Sequence, residues 1–288
     1  MTRLTSHFLS ASALALAVSL TAAPAQAQST LEEAQSSGSI RIGFANEAPF
    51  GYQNIEGELT GEAPEVAKAV LERMGITEVE GVLTEFGSLI PGLQAGRFDM
   101  IAAGMYITPA RCEQILFSEP SYAIGEAFAV AEGNPEDLHS YQDFVDNPDL
   151  QMGVMAGAVQ VGYAEALGIP QDQLVVFPDG PSAVAGVRTG RVDAYAGTAL
   201  TIQDLVGKNP EGVERAMPFE NPVIGGEEIL GYGAFGFRKE DEAFRDAFNE
   251  VLLEFRGSPE HLALVEPFGF TESEMPEKTT EELCAAGG

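Results

Sequence analysis

The sequence predicts an α/β fold of two lobes, each a central mostly parallel sheet flanked by helices, with a cleft between them; three observations predict it. Segments of period two alternate with segments of helical period over most of residues 39–196. The composition turns polar over 132–149, and a second set of strand and helix patterns follows. After a Pro-containing stretch at 217–222, a glycine-rich apolar strand and a long amphipathic helix complete the pattern.

The elements follow in order. Residues 39–45 alternate with period two and read as a strand, and 47–52 carry the Pro and Gly of a loop. Val66, Ala67, Val70, Leu71 and Met74 form a helical stripe that stops before Gly75. A strand is expected near 79–84, then a helix with Leu89, Ile90 and Leu93 ending at Gly96, then an apolar strand over 99–105. The strand 128–131 is assigned to the first lobe, and the chain is expected to cross after 132. The second lobe should hold strands at 151–155, 174–177 and 192–196, with a helix up to Leu167 and another over 180–189. The chain then returns; 232–238 rejoins the first lobe, and 241–256 is a helix with Ala243, Phe244, Phe248, Val251, Leu252 and Phe255 inward. The boundaries expected are a first lobe of 28–132 and 219–270, a second lobe of 133–218 and a tail of 271–288.

Residues 1–27 read as a cleaved export leader: Arg3 is the positive start, 11–20 the short apolar run, and Ala25-Gln26-Ala27 the cleavage tripeptide. The expected location is therefore the periplasm. With 44 acidic against 15 basic residues and a formal net charge of −29, nucleic acid and anionic membrane surfaces are excluded as partners, because their phosphates would be repelled. Cys112 and Cys284 in an oxidising compartment are candidates for a disulfide that would tie the tail to the first lobe; two free thiols are the alternative. His7, His139 and His261 form no metal-ligand cluster, and no HExxH, Gly-x-Ser-x-Gly or Walker A motif occurs, so neither a metal nor a cofactor is expected.

Ligands of such sheets bind beyond the carboxyl ends of the strands. That rule singles out the loops 46–52, 85–88 and 104–111, which carry Phe50, Phe86 and Tyr106 together with Glu47 and Arg111. A short repeat also stands out. Gly96-Arg97-Phe98-Asp99 and Gly190-Arg191-Val192-Asp193 each read as a helix end followed by strand entry, so the lobes are expected to be built alike.

These segments, with Gly61-Glu62-Ala63-Pro64-Glu65, Leu89-Ile90-Pro91-Gly92-Leu93, Thr108-Pro109-Ala110-Arg111 and Phe117-Ser118-Glu119-Pro120, resemble the periplasmic binding proteins of polar amino-acid ABC importers over almost the whole chain beyond the leader. The resemblance implies the type II fold of that family, lobe closure on a small ligand, a monomer, and the importer's membrane subunits as partners. It implies that Arg111 takes a ligand carboxylate, with Gly104 and Thr108 completing that site and Gly157 and Val159 adding backbone donors from the second lobe. It also exposes a departure. Amino-acid binders of the family carry an ammonium-holding Asp five residues after the Asp of Gly-Arg-x-Asp, where this chain has Thr198.

Glu47 with Phe50, Phe86 and Tyr106 suits a delocalised cation in place of a primary ammonium. The segments 47–52 and 104–112 look like those of the family's ectoine- and hydroxyectoine-binding members, so a compact zwitterion of that kind is the expected ligand. A betaine or proline-like solute fits the same pattern. A polar amino-acid binder is the alternative, and a dehydratase on the same scaffold, with Glu47 as its proton donor, is the enzymatic one.

Overall fold

In the computed structural model residues 29–285 are described, and the leader expected at 1–27 lies outside them. Two sheets form the two lobes. The first runs in the order Glu78–Leu83, Ser39–Phe44, Met100–Tyr106, Gly231–Phe237, Leu116–Phe117, with Tyr122–Ile124 also paired to Gly231–Phe237. The second runs Leu174–Phe177, Met152–Met155, Ala194–Thr198, Glu126–Ala131, Val213–Arg215.

Each sheet is mixed and the two are laid out alike. Three parallel strands form one side of each, and a long strand that carries the chain between lobes joins them antiparallel: Gly231–Phe237 in the first and Glu126–Ala131 in the second. The four-residue repeat sits at the same place in both. Gly96 and Gly190 close their helices at φ 68° and 66°, a left-handed conformation that suits glycine. The two Asp residues then clamp the neighbouring strand. Asp99 N–H donates to Arg41 O and its carboxylate accepts from Arg41 N–H; Asp193 does the same with Gln151 O and N–H.

The expected first crossing is corrected. The strand expected at 128–131 begins at Glu126 and pairs with Ala194–Thr198, so the first lobe gives way at Gly125 and not after residue 132. An apolar run buried on both faces looks the same in either sheet, and the polar stretch after it marks where the strand ends, not where the lobe changes. The return crossing lies between Arg215 and Gly231. The two crossings touch: a Cβ on Gly125 would come within 2.7 Å of Asn221 Oδ1, which accepts from Glu126 N–H at 2.8 Å.

The helix Glu242–Phe255 buries Phe244, Phe248, Leu252 and Phe255, with Phe244 packed on Phe237 and Phe248 on Phe235 and Phe237 of the returning strand. Ala243, expected inward, is exposed, because it lies one position, about 100°, from the Phe244 stripe. Sequence patterning passed over the helices Ala199–Lys208 and Pro259–Val265. The tail returns as Thr280–Ala285 beside the short helix Pro109–Cys112, and Cys112 and Cys284 are bonded with Cα atoms 5.8 Å apart. Among the described residues, no helix is long and apolar enough to cross a membrane.

Candidate functional site

The carboxyl ends of the parallel strands of both sheets meet at a small cavity lined by residues of both lobes. The first lobe supplies Glu47, Phe50, Phe86, Gly104, Tyr106 and Arg111. The second supplies Val159 and Thr198, together with Met155, Ala158, Gln160, Tyr195 and Gly197. Of the residues singled out in the sequence, eight therefore line one cavity. Thr108 and Gly157 do not.

Arg111 is fixed by its short helix. Thr108 caps that helix, its Oγ1 accepting from Arg111 N–H at 3.3 Å, so of the two groups expected at the ligand, the hydroxyl or the backbone N–H, the hydroxyl oxygen serves the helix end. The guanidinium is buried, donates to Tyr106 O at 2.7 Å and Gly157 O at 2.9 Å, and lies 5.5 Å from the centre of the Phe86 ring. Gly157, expected as an N–H donor, thus turns its carbonyl to Arg111. Its φ of +77° and the approach of Gly87 explain the glycine, since a Cβ there would lie 2.6 Å from Gly87 Cα. Burial lowers the Arg111 guanidinium to about 10, still charged at neutral pH.

Phe50 is held from behind by Tyr122 and Phe270, with ring centres 5.3 and 5.6 Å away. Gly104 makes room for it: a Cβ at that residue would fall 2.6 Å from the ring, and φ there is +65°. Tyr106 donates to Thr198 Oγ1 at 2.9 Å across the cleft. Glu47 accepts from Thr201 Oγ1 at 2.8 Å, a second cross-lobe bond. Burial raises the Glu47 carboxyl, opposed by the Thr201 hydroxyl and by Arg111. With the Arg111–Gly157 bond, three direct hydrogen bonds join the lobes through residues at the cavity, so this geometry is the closed one.

Sequence reasoning missed Gln160, Tyr195, Gly197 and Thr201, and behind them the buried Glu126. One signal pointed there. Extended past its Asp by five residues, the repeat maps Gly104 of the first lobe onto Thr198 of the second, which places the 197–201 turn opposite the 104–108 loop. Neither histidine among the described residues belongs to the site. His261 is buried, its Nδ1 accepting from Gly257 N–H, and His139 contacts Pro218 O and Asp137. No group of three His, Cys, Asp or Glu among the described residues is placed to hold a metal ion.

Known proteins resemble this chain in sequence and fold. The family model for bacterial extracellular solute-binding proteins, family 3, matches residues 40–271. A probable amino-acid ABC transporter periplasmic-binding protein of Sinorhizobium fredii is 45% identical over 261 residues, covering 89% of this chain and 86% of the relative. A crystal structure of EhuB in complex with hydroxyectoine is 40% identical with a TM-score of 0.81, covering 89% of this chain and 98% of that one. The ancestral amino acid-binding protein AncCDT-1, a precursor of cyclohexadienyl dehydratase, is 26% identical with a TM-score of 0.72 and covers 83% and 99%.

Proposed function

The chain belongs to the bacterial extracellular solute-binding proteins, family 3, and from that premise we propose that it captures a compact zwitterion of the ectoine or hydroxyectoine kind in the periplasm and hands it to the membrane subunits of an ABC importer. One observation carries the ligand class: a buried Arg111 and a half-buried Glu47 line the same aromatic-walled cavity, with Thr198 where a primary ammonium would need an acid. An Arg fork donates two parallel hydrogen bonds to a carboxylate. Glu47 accepts from ring N–H groups, and the faces of Phe50 and Tyr106 hold the spread cation, each contact contributing roughly 0.5–2 kcal/mol. A ligand carrying both charges leaves neither side chain uncompensated in the cavity. The 40% identical EhuB, solved with hydroxyectoine, supports the same ligand.

A polar amino acid is the second reading, favoured by the relative named for amino-acid transport. Isothermal titration of the purified chain with ectoine, hydroxyectoine, glycine betaine, proline and arginine separates them. We expect saturable heat with the first two and none with arginine; tight arginine binding without an ectoine response overturns the proposal. The chain is read as a binder and not an enzyme, so ligand incubated with it and re-isolated should be chemically unchanged.

A further inference from the structure

Gln160 lines the cavity from the start of the Gln160–Leu167 helix and is 4% exposed. Its Nε2 donates to Glu126 Oε2 at 2.7 Å in a buried contact. Glu126 is 3% exposed and stands opposite Thr198 in the antiparallel register of the crossing strand, whose backbone there is pinned by Asn221. An ionised carboxylate only accepts, so it must meet the NH2 end of the amide. The Gln160 carbonyl oxygen, Oε1, is thereby turned from Glu126. No protein donor among the described residues reaches it, and it is not one of their sealed polar atoms lacking a partner, whereas Glu126 Oε1 is. Oε1 is therefore the polar atom that Gln160 offers to the cavity.

We propose that Glu126 is a positioning residue for ligand selection: by holding the amide nitrogen of Gln160 it keeps Oε1 as a fixed acceptor in the cavity, which favours ligands that present an N–H or O–H donor there. The same geometry makes the acceptor reversible. A protonated Glu126 has an O–H to donate; it pairs with the amide oxygen, and a half-turn of the amide puts NH2 into the cavity instead. Burial raises the Glu126 carboxyl to about 7, opposed by the Gln160 amide and reinforced by Glu47. The other titratable groups that feel Glu126 are Tyr106, Tyr141, Tyr163 and Tyr195, all raised by burial and so neutral throughout this range. Glu47, on the first-lobe loop, is thus the one neighbouring charge among them. A ligand donor on Oε1 should bind less tightly as pH falls through about 7.

This selectivity rests on the cavity being the ligand site, but its first test does not. The side-chain amide of Gln160, assigned by comparison with Gln160→Ala, is followed by NMR in ligand-free protein from about pH 5.5 to 8.5, the range that brackets a raised carboxyl. A resonance shift with its midpoint near 7 is expected in the wild type and none in Glu126→Gln. A Gln160 amide that ignores pH in the wild type overturns the reversible acceptor. In the second test ectoine, which has ring N–H donors, is titrated against glycine betaine, which has none. Glu126→Gln should weaken ectoine about tenfold, the size of one lost hydrogen bond, and glycine betaine less than about twofold. Equal losses overturn the selection. Should Glu126→Gln fail to melt cooperatively, Gln160→Leu replaces it with the same expected split. A wild type that binds neither probe sinks the ligand reading, while the NMR result still decides whether Glu126 turns the Gln160 amide.

Discussion

Arg111 is the residue on which most of the binding energy should turn. It is buried, and among the described residues its acceptors are two backbone carbonyls, one from each lobe, and no carboxylate takes a direct hydrogen bond from it. Arg111→Ala should weaken any carboxylate ligand on the order of 100-fold by isothermal titration, as losing a paired buried charge does. A change within threefold would remove it from the site. Phe50 is proposed to act through its face. Phe50→Ala should weaken ectoine at least about fivefold by isothermal titration, since the ring quadrupole holds a diffuse cation; a change within twofold would reject the aromatic contact. Both residues were legible in the sequence because a strand-end loop is a local pattern. Thr201, Gln160 and Glu126 were not: Glu126 acquires a role only through its pairing with Gln160, 34 positions away, and Thr201 only across the cleft, 154 positions from Glu47.

The most informative element is the strand entry that each lobe repeats. Asp193 receives Gln151 N–H at 2.7 Å and returns its own N–H to Gln151 O, closing the start of the parallel pair. Asp193→Ala should lower the free energy of urea unfolding by about 1–2 kcal/mol, the cost of a half-buried donor left without its acceptor, and should leave ligand affinity within about threefold. A stable variant with lost binding would mean that Asp193 belongs to the site. The strand Glu126–Ala131 illustrates the opposite case. Its apolar sequence announced a buried strand correctly but carried no information on which sheet it joined, because both have room for an antiparallel partner beside three parallel strands.

Across the whole molecule, buried ionisable groups should set the pH profile. Glu62 and Glu126 are raised by burial to about 8 and about 7 from an ordinary 4.5, so the folded chain holds protons that the unfolded chain releases. Their contribution to stability is complete below about 4.5 and is lost as pH rises through 7 to 8. His261 is lowered by burial to about 4 from 6.5, so its contribution is complete above about 6.5 and is lost as pH falls towards 4. The two trends oppose each other at acid pH, whereas above 6.5 the carboxylates are joined in the same direction by His139, which its hydrogen bonds to Asp137 and Pro218 O raise above 6.5. The melting temperature should therefore fall from pH 6.5 to 8, and Glu62→Gln should flatten that slope; a slope unchanged in the variant would rule Glu62 out as its cause. The tail enters at the same scale. The Cys112–Cys284 bond spans 172 positions, for which the chain-entropy model gives about 5 kcal/mol. Reduction and Cys284→Ser should lower the melting temperature alike, and intact masses after alkylation should differ only when reductant is present; equal alkylation in both samples rejects the bridge.

By itself the sequence determined the alternating elements, the likeness of the two lobes, the loops at the strand ends, and the absence of an acid at position 198. All of these are written in residues near one another, where hydrophobic period and turn chemistry act. The tertiary structure alone decided that the crossing comes at Gly125, that Thr108 caps a helix, that Gly157 offers a carbonyl to Arg111, and that Glu126 holds Gln160. Each depends on which distant backbone lies alongside, and strand pairing and lobe closure set that through contacts a local pattern does not encode.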